Sequence, residues 1–319
     1  MALTNLQVFN QYAYATMQEL LSYNINLFNQ ATKGALVLRG GNNQGDYSDV
    51  ASYKRISGLV RRRDAYGTGS VSAVDINMLL ATAVKVAAGT APVNIDPHFW
   101  QWIQRAPEEA GVVIGKQLAE DTLADMLAAS LKSLIAALTT VGATVVYDGT
   151  AGTLSLGKLV TGSALFGDRA DDLACWVIHS KPMFDIFGAA LTNANVLFTF
   201  GTVKVMQDGF GRPFIITDQT DLVYTSSGTK YHTLGLAPGG AVIEQNPDFL
   251  ENIETKNGNE NITRTYQAQW SFNLALKGFQ WDKTNGGHSP TNAALATGTN
   301  WDQYAASIKD LPGIMVNTT

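Results

Sequence analysis

Cys175 and His179 stand four residues apart in ACWVIHS, a spacing that on a helix would bring a thiol and an imidazole to one face as a nucleophile and base or as two metal ligands. The intervening Trp176, Val177 and Ile178 favour a strand instead. There, residues i and i+4 share a face but lie roughly 13 Å apart. No second cysteine and no acidic partner at ligand spacing accompanies them, so a core strand is the favoured reading and a site the lesser one. His98, His232 and His288 stand alone in sequence, and no HExxH, GxSxG, Walker or CxxC pattern occurs. The pairs Gly67/Gly69 and Gly209/Gly211 lack the following helix that a phosphate cradle needs and read as turns. Asp168, Asp171 and Asp172 precede the Cys175 strand. Calcium or magnesium usually takes about six or more ligands, so these acids read as a solvated loop or helix start. Neither a cofactor nor a metal is expected.

The concentrated charge lies in KRISGLVRRR, with Lys54, Arg55, Arg61, Arg62 and Arg63. Nucleic acid is one partner for such a run, but no aromatic platform for single strands lies nearby. A solvated edge strand, kept from unwanted pairing by its charge, is the second reading. The favoured third is a subunit contact, a basic hairpin tip meeting an acidic patch on the next copy of a chain whose net charge is −5.

Charged residues make up only 15% of the 319 residues, against roughly 25% in ordinary soluble domains, while hydrophobic residues reach 45%. Much of the surface must then be polar but uncharged, either covered by partners or simply rich in Ser, Thr and Asn. The acidic balance gives no global footprint for nucleic acid. A single cysteine excludes an intrachain disulfide framework and points to a reducing cytoplasm. The first residues lack the basic and apolar regions of a secretion signal, and the uncharged run 133–147 is too short for a bilayer, so no membrane is expected.

The elements that would position these groups can be read along the chain. Residues 4–30 carry Leu6, Phe9, Ala13, Met17, Leu20, Leu21, Leu27 and Phe28 at helical spacings, with Thr4 as a candidate N-cap and Gly34 as a stop. The polar face is Asn and Gln rather than Glu and Lys, as though it too met protein. In 34–95, GALVLRG reads as a strand, GGNNQGDYSD as a loop, YKRISGLVRRRDAYG as a basic strand and AVKVAAG as a strand, together a long excursion without a core of its own. A long helix is expected over 108–141, entered by Pro107, Glu108 and Glu109 and striped by Leu123, Met126, Leu127, Leu131, Leu134, Ile135 and Leu138. Beyond it, ATVVYDG and LACWVIHS read as strands, KPMFDIFGAAL as a short helix, and Asp208-Gly209 as a hairpin turn. SSGTKYHTLGLAPGGAVIEQ reads as a further loop and strand pair. Residues 262–281 alternate with a period of two and predict a long strand, and the tail predicts a short helix-like stretch near its end.

This order of parts resembles that of the major capsid protein of tailed bacteriophages, the fold shared with encapsulin shells. ACWVIHSKPMFDIF resembles the family's strand leading into a helix, and AVKVAAGTAPVNIDPHFW the segment leaving its extended loop. SPTNAALATGTNWDQYAASIKDLPGIMVNT resembles the C-terminal stretch of a subgroup, nearly position by position. The resemblance implies an α+β fold. Its parts are an N-terminal helical arm (1–33), an E-loop (34–95), a P-domain (96–147 and 250–282) around a spine helix at about 108–141, an A-domain (148–249) and a C-terminal tail (283–319).

The resemblance further implies a non-enzymatic virion protein, assembled in the host cytoplasm into hexamers and pentamers of an icosahedral head around double-stranded DNA. A portal, a decoration protein and a separate scaffolding protein are the other partners it admits. Lys54, Arg55, Arg61, Arg62 and Arg63 would make intersubunit contacts, and Trp301 would anchor an uncharged tail on the lattice. Two alternatives stand beside this reading: an encapsulin-like nanocompartment enclosing cargo enzymes, and an intracellular α/β enzyme using Cys175 and His179.

Overall fold

The computed structural model of the chain describes residues 2–53, 60–73, 78–187, 195–200, 203–207, 213–258 and 260–319. Its first apolar stripe forms α1 (Ala2–Ala31). Phe9, Ala13, Met17, Leu21 and Phe28 are buried, whereas Leu27 is 38% exposed. The helix begins before Thr4, which therefore lies within its first turn rather than capping it. It stops where expected: Lys33 and Gly34 take positive φ of 52° and 69°, and the Gly34 N–H donates to the Asn29 carbonyl at 2.9 Å.

A short helix, α2 (Pro97–Arg105), is capped by Asp96, whose side chain accepts from the His98 N–H. It leads into α3 (Pro107–Val141), whose 35 residues span roughly 52 Å. Pro107 sits at the first turn with Glu108 and Glu109, where their negative charge favours the positive helix end, and Gly142 at φ 78° ends it. Of the expected stripe only Ile135 is not fully buried. Thr122, Ser130 and Ser133 are buried as well, so the second half of α3 is enclosed on nearly all sides. By length and composition this helix could cross a membrane, but 56% of its most apolar stretch is buried inside the protein, which marks a core helix.

Two sheets flank α3. The first is built on a long strand, β14 (Thr263–Leu276). Its order runs β1 (Leu36–Gly40), β12 (Ala241–Gln245), β14, β3 (Met78–Gly89), β2 (Tyr47–Tyr53), with β4 (Val93–Asn94) and β13 (Leu250–Lys256) also pairing to β14. Only β1 and β12 run parallel in it. Strand β2 begins at Tyr47, inside the stretch expected to be loop, and the expected basic strand is absent from residues 60–73, which are irregular. Residues 54–59 of that expected strand lie outside the described residues.

The second sheet runs β5 (Val146–Asp148), β17 (Gly313–Thr318), β11 (Thr229–Leu236), β6 (Cys175–Ile178), β9 (Pro213–Ile216), β8 (Val203–Gln207), β7 (Asn195–Phe200), with β10 (Val223–Thr225) on β11. Strands β8 and β9 pair antiparallel about the expected turn, while Asp208 and Gly209 themselves lie outside the described residues. β11 and β12, expected as one pair, belong to different sheets, and the chain crosses between them at Gly239, φ 69°.

The second sheet is covered on both faces. Cys175, Val177, Leu234 and Met315 join the main core with α1, α3 and the first sheet. Trp176, Ile178, Phe214, Ile314 and Val316 form a smaller core under α4 (Leu156–Ser163) and α5 (Ser180–Phe187). That is why β6 reads as a continuous apolar run rather than an alternation.

One buried carboxyl gives the fold a pH dependence. Glu251 on β13 accepts a hydrogen bond from the Tyr266 hydroxyl at 3.0 Å. Burial outweighs that bond and lifts its pKa from 4.5 to about 7. The unfolded chain releases this proton near its ordinary pKa while the folded chain keeps it, so stability from this group falls as pH rises between 4.5 and about 7. Thermal unfolding at pH 5 and pH 8 in parent and Glu251→Gln is expected to show a steeper fall for the parent. Identical slopes would remove the assignment.

Candidate assembly surface

The described part of the basic run, Arg61, Arg62 and Arg63, is exposed. Strands β2 and β3 pair from Tyr47↔Val84 to Tyr53↔Met78, and every residue from 60 to 73 between them in the chain is exposed. Val60 and Tyr66 are each 95% exposed and Val71 57%, an unusual state for large apolar side chains. The recorded hydrogen bonds of this arm are local: the Tyr66 N–H donates to Asp64 Oδ1 at 3.0 Å and the Gly67 N–H to the Asp64 carbonyl at 3.4 Å. Arg61, Arg62 and Arg63 are exposed and in no ion pair among the described residues. Lys54 and Arg55 lie outside the described residues. On α1, the face expected to meet protein exposes Tyr12, Tyr14 and Tyr23, and the first half of α3 exposes Val112 and Val113. Sequence reading noted only the Asn and Gln of the α1 face and missed these aromatic and aliphatic groups.

The tail and Trp301 require a correction. Trp301 is 1% exposed within its own subunit, so its side chain has no surface left for a neighbour. It starts β16 (Trp301–Gln303), which pairs with β15 (Phe279–Trp281), and its ring meets Trp281 edge-on at 4.9 Å. Its indole N–H donates to the Leu295 carbonyl at 3.1 Å, at the end of the one-turn helix α6 (Asn292–Leu295). The tail ends inside the subunit: its last strand, β17, is flanked by β5 and β11, and residues 311–316 are buried.

The Cys175–His179 pair is not brought together for chemistry. Cys175 is buried in the main core, and burial pushes its thiol up to about 12, far from a ready nucleophile. His179 instead opens α5, with its Nδ1 accepting from the Lys181 N–H at 3.2 Å and its Nε2 3.6 Å from Asp218. Of the three acids before β6, Asp168 pairs with Lys309, while Asp172 lies 3.8 Å from Arg169, which also reaches Asp310 at 3.1 Å. Asp168 and Arg169 thus tie the second sheet's helical layer to the tail. Among the described residues, no group of three or more His, Cys, Asp or Glu could hold a metal ion.

A chain whose reactive side chains serve packing and capping, and whose exposed features are an apolar, basic arm and uncovered aromatic faces, is a building block made to be joined to others. The Gp13-like family, described as Major capsid protein 13-like, matches residues 5–315, and the chain belongs to this major capsid protein family. No curated protein sequence matches it. Among solved structures it is similar to a chain of Mycobacterium phage Adephagia, with 13% identity over 91% of this chain and 90% of that one and a TM-score of 0.47. The capsid of Ralstonia phage GP4 gives 9% identity, 89% and 87% coverage and 0.47. The SrpI encapsulin complex of Synechococcus elongatus PCC 7942 gives 13%, 75% and 81%, and 0.46.

Proposed function

We propose that this major capsid protein assembles with copies of itself into hexamers and pentamers that close an icosahedral head around double-stranded DNA. The observation that carries the reading is the 60–73 arm. Val60 and Tyr66 stand almost wholly in water, and a neighbouring copy is the surface that would cover them. In this reading residues 1–33 are the N-arm, 34–95 the E-loop, 96–147 and 250–282 the P-domain and 148–249 the A-domain. The tail's last strand, β17, joins the A-domain sheet, so the tail serves the subunit before it serves the lattice.

Packaged DNA would meet the interior through non-specific contacts, since a net charge of −5 supplies no basic face. Assembly in the host cytoplasm, with a scaffolding protein, a portal and a decoration protein as further partners, completes the proposal. The test is electron microscopy of the purified full chain and of an Arg61→Glu, Arg62→Glu, Arg63→Glu variant. The parent is expected to give rings or closed shells tens of nanometres wide, and the variant a folded subunit with shells reduced by about tenfold or more. Normal shells from the folded variant would remove the arm from assembly.

A further inference from the structure

Asn-Gly is the dipeptide whose asparagine is most open to attack by its own backbone, because glycine has no side chain to shield the amide nitrogen. It occurs twice in the chain, at Asn257-Gly258 and Asn285-Gly286. Both asparagines are exposed, so exposure does not separate them. What holds them does.

Asn285 lies in the turn after β15 and is tied down. Its side-chain amide donates to Asp282 Oδ2, and the Gly286 N–H donates to the Asp282 carbonyl at 2.9 Å. A Cβ on Gly286 would lie 2.3 Å from the Trp281 ring, so this glycine is pressed against an indole that itself donates to the Gly287 carbonyl at 2.8 Å. The Gly286 nitrogen cannot reach the Asn285 amide without breaking both bonds to Asp282. Asp148-Gly149, where an aspartate could react in the same way, is held too: the Gly149 N–H donates to the Asn317 carbonyl at 2.8 Å.

Asn257 and Gly258 stand at the tip of the β13–β14 hairpin, past the last paired residues, Lys256↔Thr263. Gly258 is exposed at φ 102°, and a Cβ on it would meet nothing within 4 Å. Among the described residues, neither the Asn257 side chain nor the Gly258 N–H is held by a hydrogen bond. The two reacting groups can turn toward each other.

We propose that Asn257 is a site of spontaneous covalent modification, deamidation through a cyclic imide, and that the fold withholds the same reaction from Asn285. The Gly258 nitrogen gives up its proton and bonds to the side-chain carbonyl carbon of Asn257. The C–N bond of the side-chain amide breaks, and its nitrogen leaves with that proton as ammonia. Water, the only co-reactant, then opens the imide at either carbonyl. The product is aspartate or an isoaspartyl link that routes the main chain through the side chain, and nothing is oxidised or reduced. Each event adds a carboxylate to a tip that already exposes Glu254 and Glu260 beside Lys256.

Peptide mapping by mass spectrometry of the full chain aged at pH 8 tests it. Asn257 is expected to convert, faster at higher pH because the nitrogen attacks as its anion. Asn285 is expected to convert about tenfold or more slowly, since two hydrogen bonds must break first. In urea-unfolded chain aged alongside, the two pairs are expected to react at like rates, which assigns the difference to the fold. Labelling by an isoaspartyl methyltransferase reads the product independently. Asn257→Gln, whose longer amide does not form the same ring, is expected to remove most of that label from the folded chain. Asn257 intact in the folded chain while it converts in urea, or Asn257 and Asn285 converting alike in the folded chain, overturns the proposal.

Discussion

A chain ending at residue 310 is expected to lose its fold and accumulate as insoluble protein. The strand it lacks, β17, lies between neighbours on both sides, pairing antiparallel with β11 from Tyr231↔Thr318 to Leu236↔Gly313 and parallel with β5 from Met315↔Val146 to Asn317↔Asp148. Its loss leaves two strands with unpaired edges in the middle of a buried sheet. It also removes Ile314, Met315 and Val316, none more than 1% exposed, and so empties both cores the sheet separates. Each large buried apolar side chain is worth about 2–5 kcal/mol, so three of them match the whole stability of an ordinary domain, about 5–15 kcal/mol. Truncation at residue 289 would add the loss of Trp301. The measurement is the soluble fraction and, for any soluble protein, thermal unfolding by circular dichroism. A truncated subunit that is soluble, melts cooperatively and fails only to form shells would return the tail to a role between subunits.

What the sequence disclosed and what it hid follow from the range of the forces involved. The helices α1, with its stop at Gly34, and α3, and the long strand β14 were legible because apolar periodicity and local backbone preferences act within a few residues. The inertness of Cys175 was legible for the same reason, since the β-branched context around it fixes a strand. The place of the tail was not. GIMVNT is a short apolar run that reads equally as interface or core strand, and only its pairing with residues 77 or more positions away decides. Trp301 misled in the same way: an aromatic in an uncharged stretch is an anchor on either reading, and its partner Trp281 lies twenty residues back, across a connection that holds α6. The loop expected over GGNNQGDYSD hid the start of β2 because Gly, Asn and Asp speak for turns, whereas the pairing of Tyr47 with Val84 is a tertiary outcome.

Gly115→Leu is expected to prise α1 off α3, the second large effect. Gly111 and Gly115 are four apart and so share a face of α3, against Phe9 and Ala13, which share a face of α1. A Cβ at Gly115 would lie 2.5 Å from the Ala13 carbonyl oxygen, and one at Gly111 2.7 Å from that of Phe9. These obstacles are backbone atoms of a helix, which cannot rotate aside as a side chain does. In an exposed helix, Gly→Ala would stabilise by about 1 kcal/mol. Here the overlap should reverse the sign, with Gly115→Ala costing about 1–3 kcal/mol net and Gly115→Leu more, because the helices must separate and uncover Phe9, Ala13 and Met17. For a chain of this length each kcal/mol lowers Tm by roughly 2–4 °C. Thermal melts read the cost, and limited proteolysis reads its place, since an undocked α1 is cut within residues 2–31 while the sheets stay protected. An Ala variant as stable as the parent would mean that the two helices can shift apart without penalty. The consequence would reach assembly: Tyr12 and Tyr23 face outward at fixed positions only while α1 is held against α3, so a loosened α1 would blur that surface even where the 60–73 arm remains intact.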